Sequence, residues 1–199
     1  MKNSATTSAR MPTVSALQIL ADVRDESTLV VTNQGSARLW PLVSKHPCDF
    51  NFNPSTMGGA IPLGLGLALA QPQREVLVIS GDGSLLMSLG SLVTVIASGV
   101  QNLTIVLLDN EIYEVTGGQA VPGAAAGVDY PGLATAAGFA SAAQFATLEA
   151  WREGAAAVLQ QSGPRFVALR VDAARDAYPK SPAEPIQEQI LRLRSGLSS

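Results

Sequence analysis

The sequence predicts an α/β fold, a doubly wound and mostly parallel sheet flanked by helices. The main observation is a strand, a helix and a strand in succession. Apolar runs at residues 76–79 and 103–108 enclose the segment 85–96, in which apolar residues recur at helical spacing. Such a βαβ unit places its two strands parallel. The chain of 199 residues, 47% of them apolar, is long enough for one substantial core.

The other elements are predicted in chain order from the same two patterns. Residues 1–11 are polar and are expected to form a disordered leader, followed by a domain over residues 12–173. Within this domain helices are predicted at 14–23, 61–70, 131–139 and 147–161, and strands at 28–32, 142–146 and 165–171. Loops are expected at 33–36 and 51–56.

Two segments have a composition of their own. Residues 111–127 are rich in Gly, Ala and Pro with little periodicity, which predicts a mobile active-site segment. The tail, residues 174–199, is first rich in proline and then predicts a docking helix at 186–193. No internal repeat is present in the sequence.

Composition excludes several classes of function. The net charge of −3 argues against a nucleic-acid partner, and Cys48 as the single cysteine rules out an internal disulfide. The longest strongly apolar stretch, residues 61–70, is too short to span a bilayer, and the amino terminus lacks a secretory apolar core. We therefore expect a cytoplasmic protein. Only 15% of the residues are charged, which suggests surface buried against a partner.

The most informative motif is SGDGS at residues 80–84, followed after the next helix and strand by DNEIY at residues 109–113. Gly81 and Gly83 allow a tight turn close to a ligand, and helix N-termini attract anions. A phosphate bound at this helix N-terminus would lie next to the Asp82 carboxylate. Two negative charges about 4 Å apart repel by roughly 4 kcal/mol at an effective dielectric of 20, so a cation must lie between the phosphate and the carboxylate.

Mg²⁺ is the cation that these residues suit. It prefers a carboxylate, an amide oxygen and phosphate oxygens, and Asp82 and Asn110 offer the first two from the carboxyl ends of neighbouring strands. A P-loop would need Gly-Lys-Ser/Thr, which is absent, and Leu69 stands where a dinucleotide fingerprint requires glycine or alanine.

Taken together, these motifs resemble the thiamine diphosphate motif of the 2-oxoacid decarboxylase and acetolactate synthase superfamily. The segments GDGSLLMSLGSLVTVIASG (81–99) and LDNEIYEVTGGQ (108–119) resemble in particular the diphosphate-binding domain of sulfopyruvate and phosphonopyruvate decarboxylases. The segments at 33–36 and 56–60 also fit, so that the resemblance covers residues 12–172.

The resemblance implies a set of site residues. The metal ligands would be the side chains of Asp82 and Asn110 and the carbonyl of Ile112, where the family often has glycine. The diphosphate would be surrounded by Gly35, Ser36, Gly83, Ser84 and Val115. Met57 would prop thiamine into its bent form, and the Ser55 carbonyl with the Met57 N–H would hold the aminopyrimidine. Asp109 replaces an asparagine often seen in the family and has no assigned role.

The resemblance also implies a partner. In the superfamily the glutamate that activates the cofactor comes from a separate pyrimidine-binding domain, and nothing in this chain matches that domain, so no catalytic residue is assigned here. The single histidine, His46, is expected at a surface or an interface. We expect the diphosphate-binding (β) subunit of a decarboxylase acting on sulfopyruvate or phosphonopyruvate, with a pyrimidine-binding α subunit as partner. Self-association as a dimer is also compatible with the sequence.

Two alternatives remain open at this level. One is a subunit of an acetolactate-synthase-like enzyme or of an oxoacid oxidoreductase, although the latter is weakened by the missing iron-sulfur cysteines. The other is a non-catalytic subunit that binds thiamine diphosphate. The sequence does not name the 2-oxoacid.

Overall fold

The fold is seen in a computed structural model that describes residues 10–181 and 183–197. In chain order its elements are α1 (Thr13–Val23), β1 (Leu29–Asn33), α2 (Gln34–Leu39), β2 (Asp49–Phe52), α3 (Ala60–Ala70), β3 (Val76–Gly81), α4 (Asp82–Leu86), α5 (Ser91–Ser98), β4 (Leu103–Asp109), β5 (Ile112–Tyr113), β6 (Gln119–Ala120), α6 (Pro122–Ala126), α7 (Tyr130–Ala137), β7 (Ser141–Phe145), α8 (Leu148–Leu159), β8 (Arg165–Arg170) and α9 (Ile186–Leu197).

Six strands form one parallel sheet in the order β2-β1-β3-β4-β8-β7, which confirms the predicted doubly wound fold. The central strands are continuous apolar runs because helices cover both faces of the sheet. The chain leaves β1 toward β2 on one side and returns to β3 on the other. Side chains at the carboxyl ends of β1 and β3 therefore meet at a switch point, where open α/β sheets bind ligands.

Three local predictions are wrong. The segment 33–36 is not a loop, because α2 begins at Gln34 with Ser36 and Asn33 forming a capping box. The helix predicted at 85–96 is divided into α4 and α5 by a turn in which Ser88 Oγ donates to the Gly58 carbonyl at 3.1 Å. The edge strand β2 was not predicted, and it occupies the first part of the expected loop at 51–56.

Both ends of the chain pack against the domain. Met11, assigned to the leader, is buried and pairs with Val171, whereas residues 1–9 lie outside the described part of the chain. The docking helix is present as α9, and it covers the free edge of β2, where Gln189 Oε1 accepts a hydrogen bond from the Asn51 N–H at 2.7 Å. The tail therefore packs on the domain, and the boundary at residue 173 stays a prediction.

The segment 111–127 has more regular structure than its composition suggests. It contains the antiparallel hairpin of β5 and β6 and the short helix α6. Its mobility stays a prediction. Among the described residues, no helix has the length and apolar character needed to cross a membrane.

Candidate functional site

A cleft opens at the carboxyl ends of β1, β3 and β4, at the switch point of the sheet. Except for Ser55, every residue proposed from the sequence lines it, namely Gly35, Ser36, Met57, Asp82, Gly83, Ser84, Asn110, Ile112 and Val115. The strand register explains why residues so far apart in sequence meet, because Gly81 at the end of β3 pairs with Leu108 near the end of β4.

Asp82 lies at the bottom of this cleft and is only 1% exposed. Its Oδ1 accepts a hydrogen bond from the Gly83 N–H at 2.8 Å, and its Oδ2 accepts one from the Glu111 N–H at 2.9 Å. Burial outweighs these bonds and raises the pKa of the Asp82 carboxyl to about 7. A carboxylate buried in this way is a group that a bound cation would stabilise.

Asn110 and Ile112 bring further oxygen atoms to the same cleft. Asn110 Oδ1 accepts a hydrogen bond from the Ile112 N–H at 3.1 Å, which folds the chain after β4 into a tight turn. The Asn110 amide nitrogen donates to Glu114 Oε2 at 3.0 Å. This bond fixes the orientation of the Asn110 amide group, so that its oxygen points away from Glu114. An amide oxygen has a second lone pair, which leaves it able to bind a metal ion. Carboxylate, amide and backbone oxygens are the donors that Mg²⁺ prefers.

Ser84 in α4 is hydrogen-bonded to the end of β1 and to the loop before α3. Its hydroxyl oxygen accepts hydrogen bonds from the Asn33 amide nitrogen at 3.0 Å and from the Gly58 N–H at 2.8 Å. Gly58 has a φ of +81°, and a Cβ there would lie 2.8 Å from the Ser88 Cβ. Both the left-handed backbone and the lack of space require glycine at this position. The loop that carries Met57 is thereby anchored to α4.

Two further glycines of the cleft are required by the tyrosines that pack against them. A Cβ at Gly35 would lie 2.6 Å from the Tyr178 hydroxyl oxygen, and a Cβ at Gly83 would overlap the ring of Tyr113. The two tyrosines therefore pack directly against the glycine backbone, and of the two only Tyr113 lines the cleft. No larger side chain fits at either glycine unless the tyrosine moves, so both glycines are required by the packing of the protein itself.

Glu114 is a cleft residue to which the sequence analysis gave no role, and Tyr178 lies beside Glu114 and Gly35. Glu114 lines the cleft and accepts hydrogen bonds from Asn110 and from the Ala174 N–H, which ties the tail to the predicted metal site. Burial and the neighbouring Glu114 carboxylate raise the pKa of the Tyr178 phenol. Glu114 follows the DNEIY motif closely, whereas Tyr178 lies in an irregular segment with no sequence signal.

Ser55 lies behind the cleft wall. Its carbonyl oxygen accepts a hydrogen bond from Gln34 Nε2 at 2.9 Å, and Gln34 lines the cleft with a φ of 53°. The carbonyl expected to hold an aminopyrimidine is therefore already an acceptor for a side chain of the same protein. The role of Ser55 stays a prediction.

His46 is half-buried, does not line the cleft and lies 3.1 Å from the Glu26 carboxylate.

Comparison with known families agrees with this geometry. Residues 35–169 match the family model described as "Thiamine pyrophosphate enzyme, C-terminal TPP binding domain". The chain belongs to this family. The matched range includes Gly35, Asp82 and Asn110, and it extends over the switch point.

Individual relatives support the same assignment. A phosphonopyruvate decarboxylase of Streptomyces viridochromogenes is 37% identical over 167 residues, which are 82% of this chain and 41% of the relative. A sulfopyruvate decarboxylase subunit beta of Methanothermobacter thermautotrophicus is 47% identical over 95 residues, 47% of this chain and 50% of the relative. The chain thus spans half or less of the length of these relatives.

A solved structure shows the same fold. A putative thiamin diphosphate-dependent enzyme of Mycobacterium smegmatis superimposes with a TM-score of 0.69 and 22% identity, over 83% of this chain and 32% of that one.

The residues of the cleft fit a diphosphate with a divalent cation. The buried Asp82 carboxylate and the Asn110 oxygen offer the cation hard ligands, and Gly35 and Gly83 line the same cleft, where their backbone can face phosphate oxygens. Glu114 is a poor match for a diphosphate, because a Cβ at Gly35 would lie 3.6 Å from its carboxylate. A diphosphate at Gly35 would require the cation, or a shift of Glu114, to relieve the repulsion.

Proposed function

We propose that this chain is the diphosphate-binding (β) subunit of a thiamine diphosphate-dependent 2-oxoacid decarboxylase. The observation that carries the proposal is the buried Asp82 carboxylate, which lies in one cleft with Asn110 and with the glycine backbone at Gly35 and Gly83. Asp82, Asn110 and the Ile112 carbonyl would hold Mg²⁺. The diphosphate would lie against Gly35, Ser36, Gly83, Ser84 and Val115.

The chain's own residues would bind and orient the cofactor. Bound thiamine diphosphate supplies a carbon nucleophile for the carbonyl of a 2-oxoacid and accepts the electrons left when carbon dioxide departs. Met57 lines the cleft next to the anchored Gly58, and its side chain would prop the cofactor into its bent form. The metal ligands would fix the diphosphate end and thereby the position of the reacting ring.

A partner chain would complete the active site. The carboxylates that lie in the cleft, Asp82 and Glu114, are on the diphosphate side. The surface also supports a partner, because the sequence has no charged residue at 50–73 or at 83–108. Within these segments Leu69, Met87 and Val93 are 55%, 57% and 61% exposed. Exposed apolar residues on an uncharged surface are typical of interfaces.

Sulfopyruvate and phosphonopyruvate are the proposed substrates because the relatives named above are decarboxylases of these two 2-oxoacids. The reconstituted complex should be assayed for aldehyde release from a panel of 2-oxoacids that includes pyruvate. Release from pyruvate alone, or formation of acetolactate, would favour the acetolactate-synthase-like alternative.

The central experiment measures thiamine diphosphate binding by calorimetry with and without Mg²⁺. Removing the cation should weaken binding, and the loss of affinity should grow as the pH rises above about 7, because the Asp82 carboxyl is then ionised and repels the diphosphate. Asp82→Ala should abolish the metal-dependent binding while the protein stays folded. Asp22→Ala is the matched control. Asp22 is exposed near the C-terminal end of α1, and its replacement also removes one carboxylate from the protein. Equal wild-type affinity with and without Mg²⁺ would refute the proposal.

A further inference from the structure

We propose that Asn33 is a positioning residue, which fixes the Ser84 hydroxyl as a hydrogen-bond donor to a diphosphate in the cleft. This inference rests on the proposed function, because it requires that a diphosphate binds beside Ser84. The observation behind it is that Ser84 Oγ accepts two hydrogen bonds, from Asn33 Nδ2 at 3.0 Å and from the Gly58 N–H at 2.8 Å.

Two accepted bonds determine the direction of the Ser84 proton. A serine hydroxyl has two lone pairs and one proton. With both lone pairs occupied, the proton has to point in the remaining direction, and among the described residues it meets no acceptor. Ser84 is 3% exposed and lines the cleft. A hydroxyl held in this way already points in the direction needed to donate to an anion. It therefore loses little rotational entropy when the anion binds.

The surroundings of Asn33 determine which end of its amide faces Ser84. Asn33 is the last residue of β1 and is fully buried. It begins α2 in a capping box, in which Ser36 Oγ accepts a hydrogen bond from the Asn33 N–H at 3.1 Å. In the same box the Asn33 side-chain oxygen faces the backbone N–H of Ser36, although the geometry is too poor for a full hydrogen bond. An amide nitrogen at that place would face a second donor, so the amide nitrogen is directed to Ser84 instead.

An asparagine is specifically suited to this position. An aspartate of the same shape would have no N–H to donate and would instead accept the Ser84 proton, which reverses the direction of the hydrogen bond. An alanine would free one lone pair of Ser84 and let the hydroxyl rotate. Both changes should reduce diphosphate binding through Ser84 and not through Asn33 itself.

The test is a double-mutant cycle of wild type, Asn33→Ala, Ser84→Ala and the double variant. Thiamine diphosphate affinity is measured by calorimetry at saturating Mg²⁺, and thermal unfolding is measured without cofactor. Asn33→Ala and Ser84→Ala should each weaken binding about ten- to a hundredfold, the range for a hydrogen bond to a charged group. The double variant should bind as weakly as Ser84→Ala alone.

A purely structural role predicts a different pattern. The losses from Asn33→Ala and Ser84→Ala would then multiply in the double variant, and that result would overturn the inference. If Asn33→Ala does not fold, Asn33→Asp serves in its place, and its loss of affinity should be larger with Ser84 present than in the Ser84→Ala background. An equal loss in both backgrounds reflects the added charge alone and contradicts the inference.

Two outcomes separate this inference from the proposed function. Wild-type protein that binds no thiamine diphosphate in the presence of Mg²⁺ would overturn both. Wild-type protein that binds normally, together with an Asn33→Ala variant of unchanged affinity, would overturn only the role of Asn33.

Discussion

Two glycines in α3 should respond in opposite ways to the same substitution. Gly64 and Gly66 are both interior residues of this helix, but a Cβ at Gly64 would overlap the Val78 Cγ2 methyl, whereas a Cβ at Gly66 would meet nothing within 4 Å. Val78 is fully buried in β3, the strand that leads to Asp82. A comparison of the two glycine-to-alanine substitutions therefore tests how closely α3 packs on β3 below the cleft.

The magnitudes follow from two separate effects. Replacing glycine by alanine inside a helix stabilises it by about 1 kcal/mol, so Gly66→Ala should raise the free energy of unfolding by that amount. Gly64→Ala has the same gain but adds a methyl group to a close-packed core, which costs roughly 3 kcal/mol when the neighbour is buried. We expect a net loss of about 2 kcal/mol, equivalent to about 4–8 °C in Tm.

Circular dichroism of thermal and urea unfolding measures both variants, and calorimetry measures their cofactor affinity. Because Met57 lies shortly before α3, a shift of this helix away from β3 should also weaken thiamine diphosphate binding in Gly64→Ala but not in Gly66→Ala. If both variants were stabilised to the same degree, the packing of α3 on β3 described above would be wrong.

The remaining predictions concern the segment 111–127 and the partner. Limited proteolysis should cut this segment first, because its residues from Thr116 to Ala120 are exposed, and thiamine diphosphate with Mg²⁺ should slow the cut because Ile112 and Val115 line the cleft. Cleavage that is equally fast with and without cofactor would contradict a ligand-coupled lid. The purified chain, saturated with thiamine diphosphate and Mg²⁺, should not release carbon dioxide from sulfopyruvate, phosphonopyruvate or pyruvate until a pyrimidine-binding subunit is added. Normal turnover by the chain alone would show that no second subunit is required.

Much of the fold follows from local patterns in the sequence. The strands β3 and β4 are apolar runs that are buried on both faces, and the motif between them defines where β3 ends. A parallel βαβ unit then has to bring Asp82 close to the residues after β4, and the structure places the Glu111 N–H 2.9 Å from its carboxylate. For this reason the predicted metal ligands and most diphosphate residues line one cleft.

Two of the three wrong local predictions have a common cause. The break between α4 and α5 and the helix that begins at Gln34 are stabilised by Ser88 and Ser36, whose hydroxyl groups bond to distant backbone carbonyls at Gly58 and Ile79. The spacing of apolar residues predicts helices and strands. It does not predict which serine hydroxyl will form a hydrogen bond to a backbone carbonyl that is distant in the sequence.

By itself, the sequence determined the fold class, the strands β1, β3, β4, β7 and β8, the position of the GDG motif and the family to which the chain belongs. Only the tertiary structure decided which side chains support the residues of the cleft from behind. Asn33 reaches Ser84 across the switch point, and Tyr178 packs against Gly35 from a tail that was assigned to a separate segment. The physical reason is that these contacts depend on the path of the chain between distant elements. Such contacts leave no periodic pattern in the sequence.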